Sequence, residues 1–279
     1  MSGAGGSRIA PVLRRLAGAG RKALIPYVAA GDPDRATTVP VLRAMVAAGA
    51  DIVELGMPFS DPMADGPVIQ RASERALAGG MTLAAVLDVV AEFRRADGET
   101  PVVLMGYVNP IEAMGYRPFA ARAAAAGVDG VIVVDLPPEE AGPLLAELEA
   151  NRIDPIFLVA PNTDEARVRL ILRHARGYLY YVSLKGVTGS RRLDALEVAR
   201  KVRQIKTLTE LPVGVGFGIA DAPSARRIAE VADAVLVGTA LVRRVEAWAG
   251  EPQRIPGEVA GLVAEMRAAM DGPAGAAGR

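Results

Sequence analysis

The sequence predicts an α/β fold, a (β/α)8 TIM barrel with an extra N-terminal helix. Short apolar runs alternate with longer helical patterns rich in Ala and Leu, and about eight such runs occur along the 279-residue chain. Strands that alternate with helices form a parallel sheet covered by helices, and about eight units in roughly 250 residues is typical of a closed barrel. The alternative, an open doubly wound sheet, is disfavoured because no Gly-x-Gly-x-x-Gly follows the first strand.

Each repeat can be placed along the chain. The predicted strands are residues 23–28, 51–55, 101–106, 130–135, 155–159, 178–183, 213–216 and 234–238. The predicted helices between them are residues 35–48, 82–96, 119–126, 139–148, 164–175, 193–205 and 223–232. Residues 7–17 form the extra leading helix, and residues 1–6 and 272–279 are expected to fray. Since no interior linker divides the chain, we expect a single domain of residues 1–279.

Composition narrows the function classes. The 51% hydrophobic content is sufficient for a large core, and 32 basic residues balance 32 acidic ones. Without a basic stripe, nucleic acid is not an expected partner. No signal-peptide core and no apolar run of roughly 18 residues is present, so we expect no membrane segment and a cytoplasmic location. The chain has no cysteine, which excludes thiolate catalysis and suits a reducing compartment.

The most informative segment is residues 51–67, which read DIVELGMPFSDPMADGP. Its first part alternates like a strand, so Ile52 and Glu54 point to one side. A charge without partners near the end of an apolar run is costly, which indicates a function for Glu54. The turn residues that follow hold Asp61 and Asp65 in a loop. Two carboxylates in different surroundings commonly divide acid and base roles.

The position of polar residues in each repeat also carries information. TIM barrels handle ligands at the C-terminal ends of their strands, where Glu54, Asp65, Tyr107 and Asp135 are predicted to lie. The only histidine, His174, precedes the sixth predicted strand and therefore lies at the opposite end. A general base would accordingly be a carboxylate, a tyrosine or a lysine.

Glycine-rich turns follow the last three predicted strands. They are GVTGS at residues 186–190, GVGFG at 214–218 and VGTA at 237–240. Backbone amides in such turns bind phosphate, because unpaired N–H groups and the helix dipole point at the anion. One turn alone is weak evidence, but three in the correct repeats predict a phosphate site.

The motifs of this sequence resemble those of one protein family. From about residue 21 to 242 the chain is similar to the tryptophan synthase alpha subunit, in the order and spacing of YVAAGDPD, VELGMPFSDPMADGP, LMGYVNP, VIVVDLPPEE, YYVSLKGVTGSR, VGFGI and VLVGTALV. That family is a (β/α)8 barrel that cleaves indole-3-glycerol phosphate to indole and glyceraldehyde 3-phosphate without metal or cofactor. The resemblance implies a pyridoxal phosphate-dependent beta subunit as partner, an alpha2-beta2 tetramer, and a tunnel that carries indole between the subunits.

The resemblance also implies roles for individual residues. Glu54 would shuttle protons, and Asp65 would accept a hydrogen bond from the indole N–H. The implied substrate pocket is Tyr27, Tyr107, Asp135, Tyr180, Thr188 and Phe217. The implied phosphate site is Gly189, Gly218, Gly238 and Thr239.

Each assignment has an ordinary alternative. Glu54 could be a salt-bridged barrel residue, Asp65 a turn residue, and Asp135 a strand-end hydrogen-bond acceptor. The aromatic residues could serve core packing and the glycines turn geometry. Pro58, Asp61 and Pro62 are candidates for contact with a beta subunit. Some family members have an arginine where this chain has Leu184 and Lys185, which leaves open how the loop after the sixth strand is anchored.

Three other functions compete with this interpretation. One is a Schiff-base aldolase, for which Lys185 is the only lysine near the correct face. The second is a catalytically silent regulatory subunit, which would not need both carboxylates and all three glycine turns. The third is an indole-3-glycerol phosphate lyase that acts without a partner.

Overall fold

The computed structural model of the protein describes residues 6–182, 195–216 and 218–272. Its strands are β1 Ala23–Ala29, β2 Val53–Gly56, β3 Val102–Gly106, β4 Gly130–Val133, β5 Asp154–Pro155, β6 Phe157–Val159, β7 Leu179–Val182, β8 Val213–Gly216 and β9 Ala234–Val237. All pairs are parallel, in the order β5-β4-β3-β2-β1-β9-β8-β7-β6. β5 pairs with β4 and β6 with β7, and only Ile156 separates β5 from β6. The sheet is therefore a nearly closed barrel in which the fifth predicted strand is split, which confirms the predicted fold.

Twelve described α-helices surround the barrel. They are α1 Ile9–Gly18, α2 Arg35–Ala47, α3 Pro67–Ala78, α4 Leu83–Arg94, α5 Val108–Met114, α6 Tyr116–Ala126, α7 Gly142–Ala150, α8 Glu165–Leu172, α9 Ala195–Lys206, α10 Ala222–Ala229, α11 Thr239–Ala247 and α12 Ile255–Asp271. A 3-10 helix, Pro252–Arg254, precedes α12. The sequence predictions contain no counterpart of α3, α5, α11 or α12. Helix α3 begins at Pro67, whose ring pre-sets the first helical φ, although Pro67 ends a segment rich in turn residues.

Many predicted boundaries differ from the observed ones by one to three residues, and two of these differences have a clear physical reason. The fourth predicted strand ends at Val133 and not at residue 135. The chain turns there, and the Asp135 carboxylate accepts a hydrogen bond from Val108 N at 2.9 Å. The helix predicted at residues 139–148 begins at Gly142, because Pro143 occupies its first turn. Of the predicted tails, residues 1–5 and 273–279 lie outside the described residues, as do Ser183 and residues 193–194 of the predicted elements.

The second strand has the predicted alternation. Ile52 lies in the cluster that fills the barrel, and Glu54 is buried beside it with 1% of its surface exposed. Val53 and Leu55 instead join the cluster between the sheet and the helices. Alternate residues of a strand face opposite sides of the sheet, so the barrel interior receives the one charged side chain of β2.

Helix α1 closes the N-terminal end of the barrel. Its buried residues Ile9, Val12, Leu13 and Leu16 belong to the same cluster as the interior residues of the strands. Arg8 joins this end of the chain to Asp129, whose Oδ1 accepts from Arg8 N at 2.9 Å. Asp129 Oδ2 accepts from Arg94 Nη2 at 2.7 Å and from Val102 N at 2.9 Å. One buried carboxylate thus connects α1, α4 and β3.

No single helix among the described residues is long and apolar enough to cross a membrane. Helices α3 and α4 together reach the required length and composition only as a pair bent by 93°.

We predict that Asp129→Ala lowers the free energy of unfolding by about 3 to 5 kcal/mol, because it leaves the buried Arg94 charge without its carboxylate. The control is Asp88→Ala, which removes an exposed pair with Arg35 and should cost about 0.5 kcal/mol. Denaturant unfolding measures both. Equal effects of the two variants would show that Asp129 is not a structural anchor.

Candidate active site

Glu54 lies on β2 inside the barrel and has one hydrogen-bond partner in the described structure. Tyr178 Oη, fully buried just before β7, donates to Glu54 Oε1 at 2.7 Å. Burial raises the pKa of Glu54 to about 8, although the hydrogen bond from Tyr178 acts in the opposite direction. The carboxyl group therefore holds its proton near neutral pH and can both donate and accept one. The salt-bridge alternative is not what these described contacts show.

Asp65 lies in the loop between β2 and α3 and is held by Tyr107. Tyr107 Oη donates to Asp65 Oδ2 at 3.1 Å and accepts from Ala64 N at 3.0 Å. Burial raises the pKa of Asp65, and the hydrogen bond from Tyr107 lowers it. The ring of Phe59 lies against the Tyr107 ring, with centroids 5.3 Å apart. The tyrosine hydroxyl therefore fixes both the loop backbone and the carboxylate.

Tyr27 and Tyr180 are both near the two carboxyl groups. Burial raises the pKa of both tyrosines, and the negative charges of Glu54 and Asp65 raise it further in each. Tyr27 is also the register partner of Glu54 on the neighbouring strand. Both carboxyl groups therefore lie close enough to Tyr27 and Tyr180 to influence their hydroxyl groups.

Two strand glycines make room for these tyrosines. A Cβ atom on Gly56 would overlap the Tyr27 hydroxyl, and one on Gly216 would overlap the Tyr180 hydroxyl. Each ring therefore extends across the backbone of another strand, into space that a side chain would fill. The glycines, as much as the tyrosines, determine the shape of this region.

Three of the predicted phosphate residues, Gly218, Gly238 and Thr239, are described and lie at the same end of the barrel as Asp65. Gly238 follows β9 and precedes α11, and the first turn of α11 has no side-chain cap from the described residues. The Tyr27 ring comes within 3.6 Å of the position of a Gly238 Cβ atom. Gly218 follows β8 with φ of 73°, a left-handed conformation that favours glycine. Thr188, Gly189 and Phe217 lie outside the described residues.

The other residues that the sequence analysis singled out are not all near Glu54 and Asp65. Asp135 is exposed, and its contact with Val108 N is the strand-end hydrogen bond of our two alternatives. His174 follows α8 at the other end of the barrel, as predicted. Lys185 lies outside the described residues, whereas Lys22 and Lys206 pair with Asp233. Within the described ranges, no three His, Asp or Glu side chains form a group that could hold a metal ion.

The sequence does not single out Tyr178, which donates the hydrogen bond to Glu54. It is the first residue of the sixth predicted strand, in the sequence YLYY. The period of two residues places Tyr178 on the same side as Tyr180, one layer deeper in the barrel. That signal identifies an inward tyrosine, but its contact with Glu54, 124 residues away, depends on barrel closure.

Comparison with known proteins shows that this chain is similar to members of one protein family. The family model described as tryptophan synthase alpha chain matches residues 13–271. The tryptophan synthase alpha chain of Nitrosococcus oceani is 58% identical over 265 residues, which cover 95% of this chain and 98% of that one. The crystal structure of tryptophan synthase subunit alpha from Legionella pneumophila has a TM-score of 0.89 at 44% identity, covering 95% and 98%. A chain of M. tuberculosis tryptophan synthase has a TM-score of 0.84 at 36% identity, covering 95% and 99%.

The raised pKa of Glu54 predicts a pH-dependent change in stability. Between pH 4.5 and about 8 the unfolded chain loses the Glu54 proton but the folded chain keeps it, so this group destabilises the fold as pH rises through that range. Glu54→Gln should therefore unfold at higher denaturant than wild type at about pH 8, and the difference should shrink toward pH 4.5. Glu165→Gln, with an exposed side chain, is the control. A constant difference across the range would refute the raised pKa.

Proposed function

Because the chain belongs to the tryptophan synthase alpha chain family, we propose that Glu54 and Asp65 perform its reaction at the C-terminal end of the barrel. The chain is a lyase of tryptophan biosynthesis that cleaves indole-3-glycerol phosphate. The observation that supports these two residues is the burial of Glu54, which keeps a proton on its carboxyl group beside a region that Asp65 also faces.

Glu54 is proposed as the general acid and base. Retro-aldol cleavage needs a proton added to indole C3 and a proton removed from the neighbouring side-chain hydroxyl. As that hydroxyl becomes the aldehyde carbonyl, the electrons of the breaking carbon–carbon bond return to the ring and release indole. A carboxyl group with a pKa of about 8 can give the first proton and take the second. Tyr178 orients it for both transfers.

Asp65 is proposed to stabilise the charge on the ring. Protonation at C3 places positive charge on the ring nitrogen, and a carboxylate that accepts its N–H offsets that charge. Burial raises the pKa of Asp65, whereas the hydrogen bond from Tyr107 opposes that shift and aims one oxygen. In the proposed mechanism the two carboxyl groups act in different protonation states, Glu54 as the acid and Asp65 as the carboxylate.

The substrate is proposed to extend from this pair to the glycine turns. Tyr27 and Tyr180 offer flat apolar surfaces for the indole ring, with Tyr107, Phe217 and Thr188 as further contacts. The phosphate would bind backbone amides at Gly238 and Thr239, where α11 begins, together with Gly218 and Gly189. Tyr27, which lies between Glu54 and Gly238, would contact both halves of the substrate.

The partner is proposed to be a tryptophan synthase beta subunit, in an alpha2-beta2 tetramer in the cytoplasm. The loop that carries Asp65 also carries Pro58, Asp61 and Pro62, and Met63, which follows Pro62, is 85% exposed. Methionine is enriched at protein–protein interfaces, so Met63 is the proposed apolar contact with the partner. A partner that binds this loop would lie directly over the site where indole forms.

We predict that Glu54→Gln keeps ligand affinity but reduces kcat by about 100-fold to 10,000-fold, since the amide cannot shuttle a proton. Asp65→Asn should lower kcat less, because it keeps a hydrogen-bond acceptor but loses the charge. Indole release from indole-3-glycerol phosphate measures both, with Glu165→Gln as the control. Near-normal kcat in Glu54→Gln would reject the assignment.

We also predict that a purified beta subunit increases indole-3-glycerol phosphate cleavage and forms a larger species in light scattering. Met63→Lys should weaken that complex by about tenfold or more, because it places a charge in an apolar contact. If neither turnover nor mass changes on mixing, the chain acts as a lyase without this partner.

A further inference from the structure

Helix α3 is an addition to the regular barrel repeat, in which one helix follows each strand. It lies between β2 and α4, and it makes an angle of 93° with α4. It begins at Pro67, two residues after Asp65, and Gln70 Nε2 donates back to Asp65 O at 2.9 Å. The position of Asp65 therefore depends on what holds α3 in place.

Apolar contacts hold one side of α3. Val68 and Ala72 of α3 form a small buried cluster with Ala29 of β1 and Val242 of α11. Tyr27, which we placed against the substrate, packs on this cluster. Helix α3 thus lies on α11, the helix whose first turn follows Gly238.

Four charged residues hold the other side, and we call Asp32, Arg71, Arg75 and Glu246 the α3 network. Arg71 binds Glu246 through two contacts, Nε to Oε1 at 2.6 Å and Nη2 to Oε2 at 2.9 Å. Arg75 Nη1 donates to the same Glu246 Oε1 at 2.9 Å. Arg75 also binds Asp32 through two contacts, Nε to Oδ1 at 2.7 Å and Nη2 to Oδ2 at 3.0 Å.

This network is more ordered than an ordinary surface ion pair. Two of its three pairs have the paired, planar geometry in which Arg and carboxylate bind most strongly. The side chain of Asp32 is 2% exposed, so Arg75 supplies the positive charge that its burial requires. Hydrogen bonds from Arg71 and Arg75 lower the pKa of Glu246 to about 2, even though Glu246 lies near the C-terminus of α11, where the helix dipole disfavours a negative charge.

We propose that the α3 network fixes the separation between Asp65 and the phosphate site, with Glu246 as a positioning residue. Glu246 lies on α11, whose first turn contains Thr239, and its partners lie on α3, which begins two residues after Asp65. The inference rests on the proposed function, because it needs Asp65 at the ring nitrogen and α11 at the phosphate. One substrate molecule must bind Asp65 through its ring and α11 through its phosphate at the same time. The separation between these two groups therefore favours substrates in which ring and phosphate are joined at one distance.

A network that only stabilised the fold would not affect the joined ligand differently from separate ring and phosphate ligands. A network that aligns the two halves of the site would. Without Glu246 each half of the site keeps its own residues, so separate ring and phosphate ligands should bind as before. A ligand that joins the two depends on their alignment, because its second contact is intramolecular. Only the affinity for the joined ligand and the rate of the reaction should fall.

The test compares Glu246→Gln with Glu258→Gln. Glu258 is a matched control because it lies on α12, pairs with two arginines, Arg244 and Arg254, and has a side chain 27% exposed against 28% for Glu246. Calorimetry would measure Kd for inorganic phosphate, for indole and for an indole alkyl phosphate that cannot be cleaved. Indole release would give kcat and KM, and thermal unfolding would show that both variants are folded.

In Glu246→Gln we expect Kd for phosphate and for indole within about twofold of wild type, and Kd for the joined ligand raised about fivefold to tenfold with a matching fall in kcat/KM. Arg71→Gln, an exposed variant that leaves Arg75 in place, should show a smaller change of the same kind. The proposal is overturned if the joined ligand binds Glu246→Gln as it binds Glu258→Gln, or if phosphate alone loses the same factor. Should Asp65→Asn keep normal turnover, the proposed function itself fails, whatever Glu246→Gln does.

Discussion

The burial of the Glu54 carboxyl group inside the barrel is the constraint on which the other features depend. An ionised carboxylate in this position would need compensating charge, and the described structure supplies only the hydroxyl of Tyr178. The group remains protonated to about pH 8 as a result. Helix α1 contributes to this state, because its apolar residues close the end of the barrel beneath Tyr178 and exclude water from that side. Catalytic acidity is therefore a property of the whole barrel and its leading helix.

The shape of the site depends on glycines in some strands that leave room for tyrosines from neighbouring strands. Tyr27 and Tyr180 are large and point inward, and they fit only because Gly56 and Gly216 face them without side chains. Their hydroxyl groups remain neutral, since burial and two nearby carboxylates disfavour phenolate. The interior thus presents aromatic surface to a substrate, and its titratable carboxyl groups are Glu54, which keeps its proton to about pH 8, and Asp65. Proton transfer can then be confined to the carboxyl groups.

The sequence was sufficient for local features and insufficient for contacts between distant segments. The alternation in residues 51–55 predicts that Glu54 shares a side with Ile52, because strand period alone decides which residues share a side. The structure shows that this side is the barrel interior. Helix α3 was missed, since its first residue, Pro67, belongs to a Pro- and Gly-rich motif typical of turns. Tyr178 and Glu54 are 124 residues apart, and Arg75 and Glu246 are 171 apart. Such pairs depend on the order and register of the closed sheet, which no local pattern contains.

The two carboxylates also differ in how the chain holds them, and this difference suits their chemistry. Glu54 is part of a strand bonded on both sides, so its backbone is fixed and its surroundings stay dry. Asp65 lies in a loop, where its position depends on Tyr107 and on a helix outside the regular repeat. An acid and base needs exclusion of water, whereas a hydrogen-bond acceptor needs correct placement relative to a second binding group. Helix α3 meets that second need, because it attaches the Asp65 loop to the helix at the proposed phosphate site.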